Sequence, residues 1–264
     1  MPSPKAWESY RRVLKQWAPN AEHEQYTYFR EMKALVRPGI AWLDAGCGHN
    51  LVPDWMNGAA ELQQELLGQA QLVVGADLDP VSLGKSSTIQ RVGCTLEKLC
   101  FADNSFDLIT CNMVVEHLDR PDAVFSEFHR VLKPGGAAIM LTPNVLHWSM
   151  LVAAATPHAF HVWVRKHVAG SEANDVFPTR YRANTQKTLD RKLRAAGFGD
   201  VHVELLSSRP HLVGMGPLLY LECMIWKITE HVPQMREILC ATARKAGAAA
   251  HDSEKTNRTA QLVS

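Results

Sequence analysis

Asp44-Ala45-Gly46-Cys47-Gly48-His49-Asn50 is the stretch whose reading decides the fold. It follows the short apolar run IAWLDA, residues 40–45, which reads as a buried strand ending in small residues. Glycines at a strand-to-helix turn let the backbone approach a ligand with no Cβ in the way. Free N–H groups at such a turn then face that ligand. A G-x-G alone marks a ligandless βα turn as readily as a binding loop. Its surroundings favour the loop. A helix is expected over 53–68, with Pro53 in its first turn. A second strand over 71–76 (QLVVGA) leads directly to an acid, Asp77.

Working outward, a short helix is expected over 80–87 and a third strand over 88–94. A fourth strand over 106–111 (FDLITC) precedes a helix over 121–132. The break Lys133-Pro134-Gly135-Gly136 leads to a fifth strand over 137–142 (AAIMLT). Alternating strands and helices mean βαβ units and a parallel sheet. The strands are continuously apolar, as strands covered on both faces should be. After Pro143 the pattern changes: a helix is expected over 184–196, a strand over 201–206, and two helices over 212–247 split near Pro233. The domain reading is a helical cap (1–36), a core (37–145), a lid or insert (146–183), the rest of the fold (184–250) and a disordered polar tail (251–264).

Composition excludes several classes. The chain has 264 residues, 46% hydrophobic and 21% charged, so collagen-like, disordered and small disulfide-scaffold readings fail. Twenty-eight Lys and Arg against 27 Asp and Glu give a net charge of +1, so no nucleic-acid partner is expected. The six cysteines (47, 94, 100, 111, 223 and 240) show no C-x-x-C pair, as in a reduced, cytoplasmic protein. The N-terminus has no apolar signal segment; Trp7, Val13, Leu14 and Trp17 pattern an amphipathic helix. Residues 145–164 lack Asp, Glu, Lys and Arg, but Pro157, His147, His158 and His161 argue against a membrane span. An apolar lid, or a segment touching a membrane surface, fits better. His158 and His161 have helical ligand spacing without a carboxylate or Cys nearby, so no metal is expected.

The acid at the second strand tip, Asp77, suits a pair of ribose hydroxyls. Asp79, before Pro80, reads better as a helix cap. A nicotinamide dinucleotide would want a third glycine where Leu51 stands. Asp44 would repel a pyrophosphate and attract a cation such as an ammonium or a sulfonium.

Four segments now stand in order: WLDAGCGHN, VVGADLDP, LCFADNSFDLITCNMVVEHL and EFHRVLKPGG. Together they resemble the class I S-adenosylmethionine-dependent methyltransferases, in the ubiquinone-biosynthesis-like group. The resemblance covers roughly residues 35–145. It implies an α/β, Rossmann-like, doubly wound sheet of seven mostly parallel strands, the last antiparallel, with an apolar helical lid or insert. It implies S-adenosyl-L-methionine as cofactor, with S-adenosyl-L-homocysteine as product. Asp44, Gly46, Cys47 and Gly48 would line its methionine part. Asp77 would hold the ribose, Leu78, Thr95 and Leu96 would flank the adenine, and Asn112 and Met113 would sit beside the sulfonium. This chain has Thr95 near a position where the family often has Asp, and Asn50 where many members have a third glycine.

Methyl transfer needs an aligned acceptor and, for a neutral hydroxyl or carbon acid, a base. His117, after the fourth strand, and His147, after the fifth, are the candidates, in loops where such sheets bind ligands. For His117 a residue capping or packing on the cofactor loop is the favoured reading, whereas for His147 packing and chemistry are equally simple. Residues 179–194 carry six basic residues against Asp190. They form a solvated helix face, unless Arg180, Tyr181 and Arg182 reach an acidic acceptor. Trp148, Phe160, Trp163 and Phe177, with Trp226 in the apolar 212–228 segment, point to a bulky, hydrophobic small-molecule acceptor. Tyr28 and Arg30, ahead of the first strand, are further cofactor contacts to consider. The competing readings are a methyltransferase-like binding module without turnover and a nicotinamide oxidoreductase.

Overall fold

A computed structural model describes residues 3–48, 50–79, 89–155 and 178–247. Seven strands form one sheet: β1 (Ile40–Ala45), β2 (Ala70–Asp77), β3 (Gln90–Gly93), β4 (Phe106–Asn112), β5 (Leu132–Pro143), β6 (Asp200–Leu206) and β7 (Ile238–Arg244). Their order is β3-β2-β1-β4-β5-β7-β6. Strands β1 to β5 pair in parallel, and β7 runs antiparallel between β5 and β6. The order reverses between β1 and β4, so their loops open a crevice at the carboxyl edge. The sheet is α/β, doubly wound and Rossmann-like, as expected.

The described helices are α1 (Pro4–Trp17), α2 (Glu24–Leu35), α3 (Ala59–Gln69), α4 (Pro121–Val131), α5 (Trp148–Ala155), α6 (Gln186–Ala195) and α7 (Pro217–Glu230). Two cores form, one on each face of the sheet. Phe125 and Phe128 of α4 pack with Leu189 and Leu193 of α6 over β4, β5 and β7. On the other face, Tyr28, Phe29 and Met32 of α2 and Leu66 of α3 cover Trp42 and Ile139. A small third cluster joins Tyr10 and Val13 of α1 to Leu219 and Cys223 of α7.

Three boundaries differ from the sequence reading. The helix expected from Pro53 begins only at Ala59, because Gly58 takes a left-handed φ of 73° at its N-cap. The fifth strand is longer than expected: Leu132 pairs with Phe106, the Lys133–Gly136 break slips the register, and pairing resumes at Ala137 and Leu108. The largest correction falls on 212–247. Only its first half is helical, as α7; its second half holds β7. Ala241, Thr242 and Ala243 read as helix formers, but backbone pairing to both β5 and β6 overrides that local preference. The helix expected over 80–87, the tail at 251–264, and residues 156–177 of the lid lie outside the described residues.

Both cores rest on aromatic side chains with no exposed area. Phe128→Ala in α4, at 0% exposure, is expected to cost about 3–5 kcal/mol. Urea unfolding followed by circular dichroism checks this; a loss under about 1 kcal/mol would mean the α4 face is loosely packed.

Candidate active site

The loop after β1 is shaped by contacts reaching across the sheet. Gly46 has φ 72° and Gly48 φ 48°, both in the left-handed region. A Cβ on Gly46 would collide with the side chain of Val114, whereas a Cβ on Gly48 would meet nothing within 4 Å. The Gly46 amide donates to the Ala76 carbonyl at 2.7 Å, tying the loop to the end of β2. Asp77 holds the loop more directly. Its Oδ2 accepts from the Gly48 amide at 3.0 Å and its Oδ1 from the Asp79 amide at 2.9 Å. From β3, Arg91 Nη1 donates to the Gly48 carbonyl at 2.6 Å.

Two cavities meet at this loop. One, of about 500 Å³, is lined by Gly46, Gly48, Asp77, Leu78, Asp79, Cys94, Thr95, Leu96 and Glu97 on the side of β2 and β3. Asn112, Met113, Val114, His117, Leu118, Asp119 and Val124 complete it beyond β4. The other, of about 130 Å³, lies between Asp44, Gly46, Cys47, Gly48, Asn50 and Leu51 and the underside of α2, with Asn112. Gly46, Gly48 and Asn112 border both. Leu78 is 67% exposed where it lines the larger cavity, an unusual placement for a leucine.

Asp44 sits buried at the floor of the smaller cavity. Its Oδ1 accepts from the Thr110 hydroxyl at 2.7 Å, and that hydroxyl accepts from Trp42 Nε1 at 2.8 Å. The indole N–H orients the hydroxyl, so its proton must point to the carboxylate. Desolvation pushes the Asp44 pKa up to about 6, against the pull of Thr110 and Arg91. Burial likewise pushes the neighbouring Cys47 thiol up to about 12, so Cys47 is a neutral packing group.

Asn112 and Gln25 exchange two amide hydrogen bonds, at 3.0 and 2.9 Å, which fasten α2 over the end of β4. Sequence reading did not single out Gln25 or Arg91. Neither belongs to a local motif, and each reaches the site only through folding. Tyr28 lines the smaller cavity, while Arg30 pairs with Glu22 at 3.2 Å in solvent, away from it.

His117 stands on the wall of the larger cavity. Its Nδ1 lies 3.1 Å from the Pro178 carbonyl, which can only accept, so the neutral ring carries its proton there. In that tautomer the lone pair is on Nε2, which lies 3.9 Å from Glu116 Oε1. The preceding carbonyl, of Glu116, accepts from the amides of Arg180 (2.6 Å) and Tyr181 (3.0 Å). The 180–182 loop is thereby pinned beside His117, and Arg180 and Arg182 pair with Asp119 at 3.2 and 3.5 Å. The Glu116 side chain turns inward, takes a hydrogen bond from Thr142 and has its pKa raised by burial.

His147 is not in this lining. It is buried, its Nδ1 is 2.8 Å from the Ser149 hydroxyl, and burial lowers its pKa. The Trp148 ring lies beside it, tilted by 59° with centroids 5.5 Å apart. Phe160, Trp163, Phe177, His158 and His161 lie outside the described residues. Trp226 sends its Nε1 to the Ser208 carbonyl, away from the cleft. Among the described residues no cluster of His, Cys, Asp and Glu could hold a metal, and no helix is long and apolar enough to cross a membrane.

Comparison with known proteins places this geometry. Residues 43–140 match the family model described as a methyltransferase domain. The ubiquinone/menaquinone biosynthesis C-methyltransferase UbiE of Cupriavidus taiwanensis is 31% identical over 191 residues, spanning 68% of this chain and 75% of that protein. The same enzyme of Cupriavidus necator is 30% identical over equal shares. An S-adenosylmethionine-dependent methyltransferase from Mesorhizobium loti has the same fold, with a TM-score of 0.53 at 20% identity over 84% of this chain and 97% of that one. Another from Archaeoglobus fulgidus has a TM-score of 0.52 at 17% identity over 89% of this chain and 99% of that one. The chain belongs to the class I S-adenosylmethionine-dependent methyltransferases, in the UbiE-like group. It is a methyltransferase enzyme whose cofactor is S-adenosyl-L-methionine, and the nicotinamide reading falls away.

The Thr110 hydroxyl is the one hydrogen bond that favours ionised Asp44 at close range. Thr110→Val is expected to raise the Asp44 pKa further above about 6. A carbon-detected NMR titration of the Asp44 carboxyl reads the shift; an unchanged midpoint would mean the hydroxyl does not hold the charge.

Proposed function

We propose that this chain methylates a small, bulky, hydrophobic acceptor at carbon or oxygen, by in-line transfer in the larger cavity. The observation that carries the reading is that the two cavities share Gly46, Gly48 and Asn112 in their walls, with His117 lining the larger. The residues fit the cofactor. Asp44 offers a buried carboxylate to its cationic amino-acid end, and the space beside Gly48 stays open for backbone approach. When bound, S-adenosyl-L-methionine supplies a methyl group on a sulfonium, an excellent leaving group.

The chain's own residues do the rest. Gly46, Cys47 and Gly48 line the methionine part of the site. Each Asp77 oxygen accepts one amide bond and keeps a second lone pair for a ribose hydroxyl. Leu78 and Leu96 flank the adenine with Thr95, whose hydroxyl already accepts from the Glu97 amide at 3.3 Å. Asn112 and Met113 stand beside the sulfonium, Asn112 steadied by Gln25. His117 Nε2 takes the acceptor's proton. Its Nδ1–H bond to Pro178 fixes the tautomer that makes this possible.

The acceptor side is apolar where it is described: Met113, Val114, Leu118 and Val124 border the cavity. The relatives above carry names of quinone-pathway C-methyltransferases, which agrees with an apolar, aromatic acceptor. His147 and Trp148, outside the linings of both cavities, are given no part in the transfer. Arg180 and Arg182 share the one carboxylate of Asp119, which lines the larger cavity, and the positive charge left over would suit an acidic substituent, with Tyr181 held beside them through its amide bond to Glu116. All six cysteines are free thiols, which suits the cytoplasm.

Calorimetric titration tests the cofactor half. Asp77→Ala is expected to weaken S-adenosylmethionine binding at least tenfold, about 1.4 kcal/mol, with NAD as a silent control. An unchanged affinity would remove Asp77 from the ribose. His117→Ala is expected to lower kcat on a phenolic or quinol acceptor by about 10²–10⁴-fold and leave cofactor affinity in place. Equal turnover would assign His117 to packing.

Asp44 makes the affinity depend on pH. Its folded pKa, about 6 against an ordinary 3.8, means the ionised form is disfavoured by folding. Its stabilising contribution is complete below 3.8 and lost as pH rises through about 6. A cationic ligand restores that loss only where Asp44 is ionised. The rise in Tm on adding S-adenosylmethionine is therefore expected to be larger at pH 7.5 than at pH 5, a difference of pH values straddling about 6. Asp44→Asn should abolish the difference, and its persistence in that variant would place the cation elsewhere.

A further inference from the structure

Glu116 is buried, 4% exposed, in the short turn Val115–His117 that ends on the cavity histidine. Buried carboxylates are ordinarily paired. One oxygen is accounted for by a chain of hydrogen bonds behind it. Asn184 Nδ2 donates to Thr142 Oγ1 at 2.8 Å, so the Thr142 proton points to Glu116 Oε2, also at 2.8 Å. The other oxygen faces the imidazole: Oε1 lies 3.9 Å from His117 Nε2. That is an ion-pair separation, too long for a hydrogen bond. Glu116 therefore does not occupy the Nε2 lone pair. It offers a counter-charge to a ring that gains a proton there.

Glu116 sets the ring from its other side as well. Its backbone carbonyl takes the Arg180 and Tyr181 amides at 2.6 and 3.0 Å. The same loop carries Pro178, whose carbonyl lies 3.1 Å from His117 Nδ1. Both ring nitrogens are thus placed by contacts that Glu116 organises. Burial raises the Glu116 pKa, and its own amide, the Thr142 hydroxyl and a charged His117 oppose the rise, in that order. Other ionisable groups nearby do not take this role. The Cys111 thiol of β4 is held neutral by burial and by Glu116 itself. Arg180 and Arg182 share Asp119 at 3.2 and 3.5 Å.

We propose that Glu116 is a positioning residue for the methyl transfer, its carboxylate the counter-charge that strengthens His117 Nε2 as a base and steadies the imidazolium. The acceptor gives its proton to Nε2 and keeps the bonding pair, which forms the new bond to the methyl carbon. The leaving sulfur takes the pair of the bond that breaks, and the proton later passes from His117 to solvent. Glu116 itself transfers no proton. The inference rests on the assignment of His117 as the base.

The first test needs no turnover: a carbon-detected NMR titration of the Glu116 carboxyl in the full chain. His117→Gln fills similar space without a charge and is expected to move the midpoint upward. An unchanged midpoint overturns the pairing, even where His117 proves to be the base. The second test is the pH profile of turnover on a phenolic acceptor. Glu116→Gln keeps an acceptor for Thr142 and removes the charge. It is expected to lower kcat at least about tenfold with S-adenosylmethionine affinity within about twofold of wild type. The acid limb of the profile should move to lower pH, because an imidazole without its counter-charge gives up its proton more readily. Glu116→Asp, which retains the charge, should keep the limb in place. Unaltered turnover in Glu116→Gln overturns the proposal, and so does a loss of kcat with the limb unmoved, the mark of a purely structural role. A shifted carboxyl midpoint beside full turnover in His117→Ala would overturn the base assignment and leave the charge pair standing, so the two failures are told apart.

Discussion

The bond between the Asp77 carboxylate and the Gly48 amide, at 3.0 Å, holds the loop on which the site depends. A loop of two left-handed glycines has wide freedom in the unfolded chain, and fixing it costs conformational entropy. Here it is fixed from several elements at once. Asp77 grips the Gly48 amide from the end of β2, Arg91 grips its carbonyl from β3, and Val114 after β4 leaves no room for a side chain at Gly46. A charge-assisted hydrogen bond contributes more than a neutral one, so Asp77 and Arg91 are well suited to the task. Each oxygen of the same carboxylate keeps a second lone pair, so closing the loop leaves Asp77 able to accept further hydrogen bonds.

Asp44 shows the opposite balance. Burying a carboxylate is unfavourable, and the upward shift of its pKa to about 6 records that cost. The chain could relieve it by a nearby cation, yet Arg91 is engaged with the Gly48 carbonyl and acts on Asp44 only at a distance. One hydroxyl, from Thr110, supports the charge, and Trp42 spends its indole N–H to keep that hydroxyl turned toward it. A buried negative group only partly compensated by the protein gains most from a cationic ligand. Coulombic attraction from such a group favours a cation and disfavours a pyrophosphate. Glu116, also buried with a raised pKa, differs in kind: its Thr142 partner is itself held by Asn184 Nδ2 at 2.8 Å, its backbone carbonyl braces the 180–182 loop, and its Oε1 lies 3.9 Å from His117 Nε2.

The parts of the fold legible in the sequence are those set by short-range pattern. Strands β1 and β4 carry continuous apolar runs because both faces are covered, as is β2 from Val74 to Ala76, and α4 and α6 show clean helical spacing. Thr185 caps α6 as its chemistry suggests, accepting from the Thr188 amide at 3.2 Å. β7 was hidden for a physical reason. An alanine-rich strand is stabilised by its two neighbours, and neither neighbour is nearby in the chain. The start of α3 was obscured similarly, since Pro53 opens a turn, with the Met56 amide on the Pro53 carbonyl at 3.0 Å, before Gly58 permits the helix.

The two ends of the cleft are built by different means, and this decides what a sequence can disclose. The cofactor end is made of backbone and strand tips: Gly46, Gly48, Asp77 and Asn112 sit at fixed distances from the apolar runs that precede them, so spacing alone locates them. The rest of the cleft is held by side chains gathered from distant elements: Asn112 itself is held by Gln25 across 87 residues, and His117 meets Pro178 across 61. No periodicity records such meetings. Function within one sheet architecture diverges through these assembled side chains, so the class of reaction is written locally in the chain while the acceptor is written only in its tertiary contacts.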